Sequence, residues 1–401
     1  MRARRYLFLL MLGLFGFPQA QVWADMPPPE PYLLVRSMRM LQDQVASGKP
    51  EALPMLNRVL AHISRQFKEA KPDAWDKPAN AYALFIYLLN GGNPDVVRGI
   101  IATLKPDQVD PKLIAGSLAY ADGDALRIVE SFQELPPNLP TELNASIYLV
   151  TASQLASIDA ITALKRLDYI RLNAPGTLLE EAALRRGLSI AADIGEKGKL
   201  ISLARNYLQR FERSPYSEDF FRQLVDALLK LKGKVSDEEI RELAALAWPG
   251  ARMPFYLRIA RGSIVNGDLA RARFASEEAA ELAATLKADD TQAKLYLAVS
   301  NVGSDETGEA SRILSNLPKD RLHGRDLKLL EAATAMAGKI TAQPEVMPVT
   351  AEPQASPVSE ISTRPPQKIN PPPVIDTEDA MITETRKKLD AIDAILGKAG
   401  K

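Results

Sequence analysis

The stretch RIARGSIVNGDLARARFASEEAAELA, Arg258–Ala283, reads as a helix, a tight turn at Asn266-Gly267, and a second helix. Ile259, Ala260 and Ser263 share one side of the first helix. Leu269, Ala272, Ser276 and Ala279 recur at spacings of three and four on the second, so they form one stripe. Small residues on facing stripes let two helices approach closely. A turn glycine followed by a hydrophobe and two alanines is the pattern of a tetratricopeptide-type hairpin. A single hairpin of this kind cannot bury its apolar faces and needs similar neighbours stacked on it.

The rest of the chain repeats the theme. The spacings predict helices over Tyr32–Ser47, Ala52–Lys71 and Pro78–Asn90, with Gly48, Pro72 and Gly91-Gly92 as stops, while Met26–Pro31 reads as non-helical. Turn signals then recur at Gly92, Gly123, Ser157-Ile158, Gly198, Gly233, Gly267 and Gly308, separated by 31, about 35, 40, 35, 34 and 41 residues. That period suits two-helix repeats. Two further members are clear. Gly198–Pro215 carries Leu200, Leu203, Tyr207 and Phe211 on a stripe, and Ile158–Pro175 carries Ala163, Leu167 and Ile170. The expectation is an all-α fold: a tetratricopeptide-like helical-hairpin array over residues 25–342.

Segments on either side differ in kind. Arg2, Arg4 and Arg5 precede the apolar run Tyr6–Phe17, and Val22-Trp23-Ala24 ends in a small residue. This predicts a secretory signal peptide over 1–24, cleaved after Ala24, and hence export. The apolar run is too short to span a bilayer, and no second stretch of about 18 apolar residues follows, so no stable membrane insertion is expected after cleavage. Residues 343–373 hold nine prolines in 31 positions, which predicts an extended linker over 343–375. Residues 376–401 read as an amphipathic helix whose narrow stripe is Ile382, Leu389, Ile392 and Leu396. Such a helix either caps the array or docks on a partner.

Composition narrows the function. Lys+Arg and Asp+Glu are equal at 50 each, which argues against a nucleic-acid binder. Hydrophobic residues make up 46% of the 401, a core-forming composition, and aromatics only 6%, which favours helices over strands. With no cysteine and two histidines, His62 and His323, neither a disulfide nor a common transition-metal set is available, so no metal and no cofactor is expected. No nucleophile-elbow, P-loop or HExxH pattern occurs. Glu130-Ser131-Phe132 followed by Pro136 resembles the Glu-Ser start of the lytic transglycosylase motif. The downstream Gly-Leu-Met-Gln segment is missing, and a glycan-cleaving acid needs an apolar cleft. The reading is non-enzymatic. Tyr256, Arg258 and Arg261 are the candidates to line a groove that receives carboxylate groups of a protein partner, and the C-terminal stripe is the second candidate contact.

Two segments carry a family likeness: PYLLVRSMRMLQDQVASGKPEALPMLNRVLAHI (Pro31–Ile63) and PANAYALFIYLLNGGNPDVVRGII (Pro78–Ile101). They resemble the MotC family of periplasmic motility proteins. The likeness extends in layout to the whole chain: export signal, Ala/Leu-rich helical body, proline-rich segment, charged C-terminal helix. Its motifs are packing patterns, so it transfers no functional residue. The resemblance implies a periplasmic protein required for flagellar rotation that binds the periplasmic part of the stator subunit MotB. The alternatives are an adaptor in envelope or secretion assembly, and a cell-wall hydrolase of helical architecture.

Overall fold

The computed structural model describes residues 29–342. The segments expected to be a signal peptide (1–24), a linker (343–375) and an amphipathic helix with Ile382, Leu389, Ile392 and Leu396 (376–401) lie outside the described residues.

Among the described residues every regular element is helical. In chain order these are α1 (Pro31–Ala46), α2 (Ala52–Glu69), α3 (Pro78–Leu89), α4 (Pro94–Ile101), α5 (Pro111–Asp122), α6 (Ala125–Ser131), α7 (Thr141–Leu155), α8 (Ala160–Asn173), α9 (Leu178–Asp193), α10 (Lys197–Arg210), α11 (Ser217–Lys230), α12 (Asp237–Leu246), α13 (Pro249–Val265), α14 (Leu269–Leu286), α15 (Thr291–Asn301), α16 (Thr307–Asn316) and α17 (Gly324–Thr341). Short 3₁₀ turns cover Pro72–Asp76 and Lys319–Arg321.

Local chemistry sets the helix starts. Pro31, Pro78, Pro94, Pro111 and Pro249 each take the first helical position, where a missing N–H costs nothing and φ is already helical. Pro31 thereby corrects the expectation that Met26–Pro31 stays out of any helix. Asn93, Asp110, Asp124, Asp159, Thr177 and Asp268 accept backbone N–H groups of their first turns. Ser236 and Glu239 satisfy each other's backbone donors in a capping box on α12.

The turn glycines need a partial correction. Gly123, Gly233 and Gly267 do take left-handed φ values of 74°, 75° and 66°. Gly198 and Gly308 instead lie in the first turns of α10 and α16, and the left-handed residues there are Gly195 and Gly303, with φ of 77° and 97°. Likewise Gly91, not Gly92, is left-handed. Two glycines stand close together in each case, and it is the one just past the preceding helix that takes the conformation forbidding a Cβ.

Packing follows two periods. Consecutive helices pair, as in α7 with α8, α13 with α14, and α16 with α17. Odd-numbered helices also pack on one another: α7 on α9, α9 on α11, α11 on α13, α13 on α15 and α15 on α17, which makes a continuous row. At the amino-terminal end α3 packs on α1, α5 and α7, while α9 reaches back to α1. The α13–α14 pair has the small-residue seam its sequence implies, with Ala260, Ser263, Ala272, Ser276 and Ala279 all fully buried. Leu269 departs from that seam. As the first residue of α14, beside the turn, it is 41% exposed. The expected stripes Leu200, Leu203, Tyr207, Phe211 and Ala163, Leu167, Ile170 are buried throughout.

Six aromatics form one chain of ring contacts in the carboxy-terminal half of the described residues. Tyr207 stacks on Phe220 with ring centroids 3.7 Å apart, and edge or tilted contacts continue through Phe221, Phe255 and Tyr256 to Phe274. This chain of rings links α10, α11, α13 and α14 through one core.

Candidate functional site

A groove crosses the odd-helix row where α11, α13, α15 and α17 meet. It consists of two adjoining hollows of 790 and 870 Å³ that share Arg258, Arg261 and Arg325. The first hollow adds Arg222 and Lys230 from α11, over a floor of Val225, Leu229, Gly262 and Val265. The second adds Lys328 from α17, with Pro254, Leu257 and Tyr296, and His323 at its rim. Among the described residues, the carboxylates in the two linings are Asp226 and Asp326. Gly262 matters for the shape: a Cβ there would meet Leu229 Cδ1 at 2.3 Å, so glycine lets α13 approach α11.

Asp326 organises the second hollow. Its carboxylate is 3% exposed and accepts hydrogen bonds from the Tyr296 hydroxyl and the Gln292 amide, each at 2.9 Å. Burial, and then the Asp326 charge, push the Tyr296 phenol up, so it stays a donor. Arg261 Nε lies 3.3 Å from the same carboxylate, close enough for ion pairing but without an aligned hydrogen bond. The remaining cations divide into two sets. Arg222, Arg258 and Lys230 pair with Asp219, Glu218 and Asp193 at the groove edge. Arg325 and Lys328 are exposed and have no ion-pair partner among the described residues.

Of the residues expected at a partner groove, the structure therefore brings Arg258 and Arg261 together and excludes Tyr256. Tyr256 is 3% exposed and packs between Phe255 and Phe274. Its position follows from the helix: it sits next to Phe255, on the core side, while Arg258 and Arg261 face outward three residues apart. Burial and Glu278 beside it push its phenol up. Arg325 and Lys328 are the residues that sequence reasoning missed. They repeat the i, i+3 cationic spacing of Arg258 and Arg261 on another helix of the same row, a signal visible only once α17 is placed in register.

Other candidates are placed elsewhere. Glu130 is exposed near the end of α6, without the apolar surroundings that an acid catalyst needs. His62 is exposed on α2, far along the chain from His323. Among the described residues no group of three or more His, Cys, Asp or Glu side chains is placed to hold a metal ion. No described helix is long and apolar enough to cross a membrane.

Fold and groove together define a protein whose described residues are all-helical and carry a cationic groove across a row of packed helices. Comparison with known proteins makes this specific. The sequence profile described as "Chemotaxis protein MotC" matches residues 1–401, and the chain belongs to the MotC family. It is 30% identical over 320 residues to Chemotaxis protein MotC of Rhizobium meliloti (strain 1021), an alignment spanning 78% of this chain and 73% of that relative.

Proposed function

We propose that this chain is a non-enzymatic periplasmic scaffold required for flagellar rotation, and that it binds the periplasmic part of the stator protein MotB. Family membership, in a family named for motility and chemotaxis, is the observation that carries the reading. The export signal expected over residues 1–24 supports the periplasmic location. Alternating contacts along the chain, consecutive helices pairing and odd helices forming a row, suit a tetratricopeptide-like stack of hairpins. A stack of this kind offers an extended surface to a protein ligand. Binding energy directed at one arrangement of the stator would stabilise that arrangement without any chemical step.

The test is calorimetric titration of the chain lacking residues 1–24 with the purified periplasmic region of its cognate MotB, paired with swimming assays of a deletion strain. Micromolar or tighter binding and loss of swimming are expected. Absence of both binding heat and a swimming defect would overturn the proposal.

A further inference from the structure

We infer that the α11–α13–α17 groove is the docking surface for an acidic, partly apolar segment of a protein partner, whose carboxylates are received by Arg261, Arg325 and Lys328. The inference rests on the scaffold reading above and assigns it a surface and a ligand chemistry.

Charge is the first argument. Six Arg and Lys side chains line the two hollows; three are paired with acids at the edge, and the other three, Arg261, Arg325 and Lys328, face two carboxylates of the lining. One of those, Asp326, is turned inward and already holds Tyr296 and Gln292. The excess is local, because the chain as a whole is balanced at 50 acids and 50 bases. Like charges gathered on facing helices repel, and an anionic ligand removes that repulsion.

Unused donor capacity is the second argument. A guanidinium carries five N–H donors in a fixed fork suited to carboxylates. Arg261 makes no aligned hydrogen bond, and its Nε is buried. Arg325 and Lys328 are exposed at the mouth of the second hollow with no ion-pair partner among the described residues. By contrast, Arg222, Arg258 and Lys230 are each neutralised by an acid of the same protein. The first set keeps donor capacity for a ligand and the second supports the edge.

Shape and lining decide the class of ligand. The hollows adjoin through shared arginines, so the site is elongated, and both floors have apolar stretches: Val225, Leu229 and Val265 in one, Leu257 in the other. Val265 is 76% exposed. An inorganic anion would leave those surfaces wet. A peptide that alternates carboxylates with aliphatic side chains satisfies charge and apolar area together.

The experiment titrates the full chain with a labelled peptide alternating glutamate and leucine, and follows anisotropy. The glutamine counterpart of the peptide, inorganic phosphate and the MotB periplasmic region are run beside it. The doubly reversed variant Arg261→Glu/Arg325→Glu is compared with Arg325→Gln, which removes an exposed charge without touching the core, and with Arg58→Glu on the distant surface of α2. The inference expects binding of the glutamate peptide that falls with salt, and at least about tenfold weakening by the double reversal. Arg325→Gln should give a smaller loss in the same direction, and Arg58→Glu no change. Equal binding of the glutamine peptide, competition by phosphate at similar concentration, or indifference to both groove variants would overturn it. MotB binding that ignores the groove variants would sink this inference and leave the proposed function standing. Peptide binding at the groove without MotB binding would do the reverse.

Discussion

Replacing Glu181 with glutamine keeps the side-chain shape and removes a charge on which several donors converge. Glu181 is completely buried on α9. It receives Arg185 Nε at 2.8 Å and a second guanidinium nitrogen at 3.1 Å, the Tyr207 hydroxyl at 2.8 Å, and a longer contact from Ser214 at 3.4 Å. Arg185 continues to Asp219 on α11 at 2.9 Å, so the carboxylate ties α9, α10 and α11 together. A glutamine offers one oxygen and one NH₂, which sets a donor against the donors already there. Hydrogen bonds to a charged group contribute about 1.5–3 kcal/mol each, but they share one acceptor and do not add. Breaking a buried ion pair costs about 3–5 kcal/mol when the remaining charge is left uncompensated; Arg185 keeps Asp219, so the expected loss for Glu181→Gln is at the low end, about 3 kcal/mol. Tyr207→Phe should lose about 1.5–3 kcal/mol. Urea denaturation followed by circular dichroism measures both, and the double variant should cost less than the two together. A loss under about 0.5 kcal/mol for Glu181→Gln, within the range of ordinary surface substitutions, would refute the account, as would strict additivity with Tyr207→Phe.

Two other predictions concern backbone and protonation. Gly303→Ala should destabilise by about 1–2 kcal/mol, because φ there is 97° and only glycine adopts it freely. Gly308→Ala, in the first turn of α16 with open space around it, should be neutral or stabilising by up to about 1 kcal/mol; thermal melts that rank the pair in the opposite order would contradict the turn assignment. Burial pushes the Glu180 carboxyl up, against the opposing pull of the Gly176 amide and Arg210. The folded protein therefore holds that proton to higher pH than the unfolded chain. Its contribution to stability is complete below the unfolded carboxylate value and is lost as pH rises through the folded one. Glu180→Gln cannot ionise, so its melting temperature should gain on that of the wild type as pH rises through this window; a difference that stays constant with pH would rule the mechanism out.

The fold was legible to the extent that it depends on local pattern. Stripes such as Leu200, Leu203, Tyr207 and Phe211 name their own buried face, because a 3.6-residue period leaves no other arrangement. Element ends were less legible. Choosing between Gly195 and Gly198, or Gly303 and Gly308, requires φ, and a one-letter code does not carry it. Leu269 was misplaced for a related reason: at the first position of a helix, periodicity assigns a face before the chain has turned to present it. The groove was half legible. Arg258 and Arg261 lie close in sequence and share a face, but Arg325 and Lys328 join them only through the row of odd helices. Tyr256 stands next to those arginines in sequence, but two positions back along a helix points nearly the opposite way, into the core.

The polar contacts inside this row bear directly on what the groove can recognise. Apolar helix faces rich in alanine and leucine hold helices together but fix their relative register weakly, since a slip exchanges one aliphatic contact for another. A buried carboxylate behaves differently, because any slip that separates it from its donors leaves an uncompensated charge in the core. Glu181 locks α9 to α10 and, through Arg185, to α11. Asp326 locks α17 to α15 through Tyr296 and Gln292, and draws Arg261 of α13 into the same cluster. Asp326 is also the immediate neighbour of Arg325 in the chain. The residue that secures the helices therefore sets the separation of the two arginines on which recognition of an acidic segment depends. Holding the helix positions that carry the cations at a fixed spacing reduces the entropy of ordering them at binding, and it penalises ligands whose carboxylates are spaced otherwise. On this argument the stability of the α13–α15–α17 row and the selectivity of its groove are properties of one buried acid, and both should decline together when that acid is neutralised.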